Sequence, residues 1–197
     1  MGRDDRSTRE IVALEAARIM FDEHSDDVNM ARRKAAQKMG TTQRQALPSN
    51  QEIEDAYRQH VTLFGKHEHV DTLRELRQTA VRAMELLAPF KPKLVGPVLD
   101  GTAHPHSAIE LHLLAPTAED VGLFLFEHKI PYREGEARLQ MGGNQTLAFP
   151  MFNFVAQTTP IELTVFTLDG IRNTPTKGPD NQVIRRANIA SVRALVG

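Results

Sequence analysis

Two stretches of this chain place an acid in the same apolar setting. Ala108-Ile109-Glu110-Leu111-His112-Leu113 and Pro160-Ile161-Glu162-Leu163-Thr164-Val165-Phe166 both alternate polar and apolar side chains with a period of two. Side chains on a strand point to opposite faces in turn, so Ala108, Glu110 and His112 share one face while Ile109, Leu111 and Leu113 face a core. In the second stretch Glu162 and Thr164 oppose Ile161, Leu163 and Val165 in the same way. Ahead of the first acid stands a turn with glycines at Gly96 and Gly101, then Thr102 and Ser107. Three imidazoles, His104, His106 and His112, surround it. Imidazole and carboxylate together suit a transition metal, so His104, His106, His112 and Glu110 are one candidate cluster. The competing reading is that His104-Pro105-His106 is a polar turn and His112 an ordinary strand residue.

The run from Leu94 to Leu113, within Lys93 to Leu113, resembles the signature of the nucleotidyltransferase superfamily, which has a DNA polymerase beta-like fold. Gly96, Gly101, Thr102, Ser107, Ile109 and Glu110 fall at that family's spacing. The resemblance implies that Glu110 is one catalytic, metal-holding carboxylate and that Glu162 takes the place of the third. It implies that Gly96, Gly101, Thr102 and Ser107 approach a nucleotide's phosphates, and that Mg2+ is the cofactor, with His112 as a further candidate ligand. Two carboxylates one residue apart on a strand hold magnesium against a triphosphate, and a glycine turn lets backbone amides come close.

The chain departs from the pattern at two places. Ala108 stands where the first aspartate is expected, and Pro97 where a serine is expected. Alanine offers no oxygen to a metal, and proline brings neither a hydroxyl nor an N–H. Metal charge and oxyanion-type stabilisation each contribute several kcal/mol to such reactions, so their loss implies a rate lower by orders of magnitude. The resemblance therefore implies a degenerate nucleotidyltransferase-like protein that binds a nucleotide or a partner with little or no catalysis. Two alternatives stay open: an active enzyme with an altered metal site, and a non-catalytic structural or regulatory interaction module.

The expected fold class is α+β, an N-terminal helical region over residues 1–88 followed by a mixed β-sheet flanked by helices over 89–197. Apolar residues at three- and four-residue steps predict helices over Thr8–Glu23, Asp26–Met39 with Ser25 as a cap, a third running to Phe64, and His69–Leu87. Ser49 and Glu52 form a capping box for the third. Pro89 and Pro92 then end helix formation. Strands are predicted near Lys93–Leu99, Ala108–Leu114, Glu136–Met141, Ala148–Ala156 and Ile161–Thr167, with a helix over Thr117–His128 and another over Arg186–Leu195. Gly142-Gly143-Asn144 reads as a hairpin turn, Asp169 to Asn181 as a long surface loop, and Phe149-Pro150-Met151 as an edge or bulge.

Composition narrows the function classes. The chain has 197 residues and no cysteine, which excludes a disulfide framework, a thiol nucleophile and a thiolate metal site. A formal charge of −1 and a pI near 6.7 lack the basic footprint of a dedicated nucleic-acid binder. Arg32-Arg33-Lys34 with Lys38 and Arg44 form the densest basic group, but no aromatic residue interleaves them to stack on bases, so a solvated helix face is the expected reading. Arg172, Lys177, Arg185 and Arg186 are likewise expected to be surface charge. No apolar run spans a membrane and no signal peptide opens the chain, so a cytoplasmic location without membrane attachment is the default expectation.

Overall fold

Apolar periodicity near 3.6 up to Leu87, and near 2 beyond it, yields helices first and a sheet afterwards. The computed structural model describes residues 2–25, 27–41, 46–64, 67–141, 145–167, 175–177 and 182–196. The chain divides into two compact units, Met1–Val70 and Asp71–Gly197. The division falls inside a helix, whereas the change from helix to strand comes at Pro89–Lys93.

The first unit contains α1 (Gly2–Glu23), α2 (Val28–Lys38) and α3 (Asn50–Phe64). Small residues on α1 and α2, Ala13, Ala16, Ala17, Ala31 and Ala35, are buried with Val12, Ile53 and Tyr57, which lets the helices approach closely. Asp27, not Ser25, caps α2, its carboxylate accepting the Met30 N–H at 2.8 Å. Ser25 instead accepts the Asp27 N–H. The Ser49–Glu52 box forms as expected: Glu52 Oε2 accepts the Ser49 N–H at 2.7 Å and Ser49 Oγ accepts the Glu52 N–H at 3.2 Å. Arg9 from α1 donates to the same carboxylate. Ser49→Ala is expected to lower stability by about 1 kcal/mol; a urea midpoint followed by circular dichroism checks it, and an unchanged midpoint would show the cap to be dispensable. Three members of the basic group on α2 are engaged within the unit. Lys34 pairs with Glu23 at 2.6 Å, Lys38 with Glu15 at 2.7 Å, and Arg32 bonds Asn29 and Asn50. Arg44 lies outside the described residues.

The second unit holds most of α4 (His67–Leu86), a 3-10 turn at Ala88–Phe90, β1 (Lys93–Val95), α5 (Gly96–Asp100), β2 (Ile109–Leu114), α6 (Ala118–Glu127), β3 (Arg133–Met141), β4 (Gln145–Ala156), β5 (Thr159–Phe166), β6 (Pro175–Lys177), β7 (Gln182–Val183) and α7 (Ile189–Ala194). The strands form one curled, mixed seven-stranded sheet in the order β1-β2-β5-β4-β3-β6-β7, parallel only between β2 and β5. Leu111, Leu113, Ile161, Leu163 and Val165 bury one face of that sheet with Met84 of α4 and Val121 and Leu125 of α6. Helices thus cover the face that strand alternation assigned to the core, and the architecture is α+β.

Four details differ from expectation for physical reasons. The strand expected over Lys93–Leu99 stops at Val95, because Gly96 at φ +70° turns the chain and Pro97 suits the first turn of a helix. Pro150 lies in β4, an interior strand of the sheet; the ladder from β4 to β5 runs from Ala156 only as far as Met151, so the proline ends it on that side. Within the expected 169–181 loop, Pro175–Lys177 form β6, pairing Pro175 with Met141 and burying Thr176. The last helix starts at Ile189, not Arg186, because Asn188 takes the cap and accepts the Ser191 N–H at 2.9 Å. The expected turn at Gly142-Gly143-Asn144 falls outside the described residues, as does Arg172; β3 and β4 pair antiparallel as far as Met141 and Gln145. No helix among the described residues is long and apolar enough to cross a membrane.

Candidate functional site

The parallel register of β2 and β5 brings the two acids together. Ile109 pairs with Ile161, Glu110 with Glu162, and His112 with Thr164. In-register residues of adjacent strands lie about 4.8 Å apart and point the same way, so the carboxylates are neighbours on the face opposite the helix-covered core. Val95 of β1 extends the row on one side of Glu110 and Asn153 of β4 on the other side of Glu162. Both acids are partly exposed. Ala108 precedes β2 and adds no oxygen to the row.

The glycine turn has other duties than those the resemblance implies. A Cβ on Gly96 would stand 2.6 Å from Glu110 Cδ and 2.7 Å from each carboxylate oxygen. The Glu110 carboxylate therefore lies directly against the Gly96 backbone, in space that only a glycine leaves open. Gly101, at φ +82°, is the left-handed residue that closes α5. Its N–H and that of Thr102 both donate to Pro97 O, at 2.9 and 3.0 Å. Ser107 is buried; its hydroxyl accepts the His104 N–H at 2.9 Å and its N–H donates to His104 O at 3.0 Å. These three donors are engaged inside the turn. The His104 and His106 rings meet edge-on at 6.4 Å, and the His106 N–H donates to His104 Nδ1 at 3.2 Å, so both belong to the same polar turn.

His112 stands on the same face as the acids, one step further along β2. It is buried, with its ring 4.8 Å from that of Phe166. Burial first, and the charge of Arg186 second, push its pKa down to about 3, so the ring is neutral at pH 7. Its Nδ1 is buried and has no hydrogen-bond partner. Among the described residues, no group of three or more His, Asp or Glu side chains is placed to hold a metal ion. Glu110, Glu162 and His112 form a stripe along the sheet, and the pair of acids falls short of the three-carboxylate clamp that the resemblance implies for Mg2+.

Arg186 is the residue that sequence reasoning assigned wrongly. Expected as surface charge on a helix, it precedes that helix and lies with its guanidinium carbon 5.1 Å from the centre of the Phe166 ring. Its Nε and Nη2 are buried without a hydrogen-bond partner, and burial lowers its pKa from the ordinary value. The available signal was Asn188-Ile189-Ala190-Ser191, a helix cap that leaves Arg186 outside the helix. Arg185 behaves as expected of surface charge, exposed and 3.3 Å from Asp100. Neither a family model, nor a curated protein, nor a solved structure matches the chain.

Proposed function

We propose that this chain is a degenerate nucleotidyltransferase-like protein that holds a nucleotide or a partner with little or no catalysis. The observation that supports this reading is the register of Glu110 against Glu162 on parallel strands, directly after a glycine turn. A catalytic version needs a third acid in reach and turn amides free to meet phosphate. Ala108 supplies no acid, and the N–H groups of Gly101 and Thr102 both point at Pro97 O. Whatever binds would therefore be held by side chains on the polar face of the sheet.

Thermal unfolding with ATP, CTP, GTP or UTP, each with and without Mg2+ or Mn2+, tests the reading. A nucleotide at about 100 times its dissociation constant adds about 2.7 kcal/mol, and Glu162→Gln should change the metal-dependent part of any shift. No shift with any nucleotide sinks the reading. Pyrophosphate release that disappears in Glu110→Gln would instead establish an active enzyme with an altered metal site. One observation favours a second reading, a non-catalytic interaction module: the Glu110 carboxylate occupies the space against Gly96 where a phosphate would approach.

A further inference from the structure

Arg186 is carried to the polar face by a segment that one bridge fixes to the sheet edge. Leu94 and Ala187 exchange both backbone hydrogen bonds at 2.9 Å, and Ala187 turns into the core. The side chain before it consequently falls on the opposite face. On a guanidinium the Nε–H and its neighbouring Nη2–H are parallel, the edge that matches the two oxygens of a carboxylate. Here both atoms of that edge are buried and unpartnered, and His112 Nδ1, on a side chain 6% exposed, is a third. The Phe166 ring touches both residues, at 5.1 Å from the guanidinium carbon and 4.8 Å from the imidazole. Buried donors without partners are costly to a fold, a charged one most of all.

We propose that Arg186 and His112 form a binding site for a small monocarboxylate. Arg186 Nε–H and Nη2–H donate to the two carboxylate oxygens, and the neutral His112 ring adds a contact through Nδ1–H. The charge of the ligand follows from the surroundings. Lys93 of β1 is in register with His112 and adds one cation to this face, but Glu110 and Glu162, one step along the strands, outnumber it and disfavour a polyanion. Phe149, Phe166 and Met141 form an apolar cluster beside the site, which suits a single delocalised charge matched one to one with the guanidinium. This site shares His112 and the polar face with the nucleotide reading but does not depend on it.

The test titrates the full chain with sodium acetate and sodium benzoate at pH 7 and constant ionic strength. Chloride, phosphate and pyrophosphate are titrated in parallel. The readouts are the 15N resonance of Arg186 Nε–H and the thermal midpoint. A carboxylate is expected to move that resonance saturably and to raise the midpoint beyond the chloride control. Arg186→Lys keeps the charge but loses the fork and should weaken binding roughly tenfold; Arg186→Met should abolish it. If Arg186→Met fails to fold, the wild-type resonance and Arg186→Lys decide the matter. No saturable movement with either carboxylate overturns the proposal, as does unchanged affinity in Arg186→Lys. Tighter binding of phosphate or pyrophosphate also overturns it and returns the site to the nucleotide reading. A carboxylate response without any nucleotide response keeps this site and sinks that reading instead.

Discussion

Gly96→Ala is expected to destabilise the protein by about 2–3 kcal/mol, more than its small change in volume suggests. Two costs combine. The native φ of +70° lies in the left-handed region, which costs a residue with a Cβ about 1–2 kcal/mol. The new methyl would also stand 2.6 Å from Glu110 Cδ, so the carboxylate must leave its position. Val95 and Glu110 are in register on paired strands, which leaves the Glu110 side chain, not its backbone, to give way. The second cost should vanish when Glu110 is already truncated. In urea unfolding, Gly96→Ala is expected to cost less in a Glu110→Ala background than in the wild type, a coupling typical of residues in contact. Equal costs in both backgrounds would show that the close approach carries no energy.

Stability is expected to rise with pH between about 3 and 6.5, with His112 contributing up to about 1.4 kcal/mol per pH unit. The folded protein holds this ring neutral down to about pH 3, because it is buried and faces Arg186. The unfolded chain binds the proton from about pH 6.5 downward. Between those limits the unfolded state carries one more proton, so acid favours unfolding. Thr164 and Phe166 of β5 lie beside the ring and carry no charge, Lys93 of β1 is in register with it, and Glu110 and Glu162 stand one step away on the same face. Glu15 acts in the same direction but lower: hydrogen bonding from Arg18, with Lys38 assisting, holds its carboxyl down to about 2. Its contribution is complete above about pH 4.5 and is lost as pH falls toward 2. The window from pH 4.5 to 6.5 therefore isolates the histidine. Chemical denaturation there should show a steeper rise with pH in the wild type than in His112→Phe; parallel curves would mean that the ring is protonated in the folded state.

Local signals carried much of this molecule in its sequence. The Ser49–Glu52 box forms, because it depends on residues only three apart. The alternation in Ala108–Leu113 and Pro160–Phe166 placed Ile109, Leu111, Leu113, Ile161, Leu163 and Val165 in the core, since strand periodicity is itself local, but it did not show that His112, Thr164 and Phe166 on the other face are buried too. The pairing of Glu110 with Glu162 depends on a parallel crossover through α6, β3 and β4, which no local pattern specifies. The Asn188 cap showed that Arg186 lies outside the helix, but its burial was illegible for a related reason. Its burial is set by Ala187 bonding to Leu94, far away in the chain, while its own neighbours read as an exposed basic run. The glycines show a third kind of limit: their spacing was visible, but the atom each makes room for was not.

The curl of the sheet leaves β3 with an unusual boundary. β3 has β4 along its whole length, but β6 meets it only at Gln140 and Met141. Among the described residues, the outer side of Arg133–Leu139 therefore has no neighbouring strand, although β3 is interior in the strand order. An unpaired row of backbone donors and acceptors is a template for another chain. Here that row carries Arg133, Glu134, Glu136 and Arg138, all of them exposed. Adding a second copy edge to edge would bring these charges together and strip their water. The mixed acids and bases of β3 thus act as a guard against self-association along this unpaired stretch.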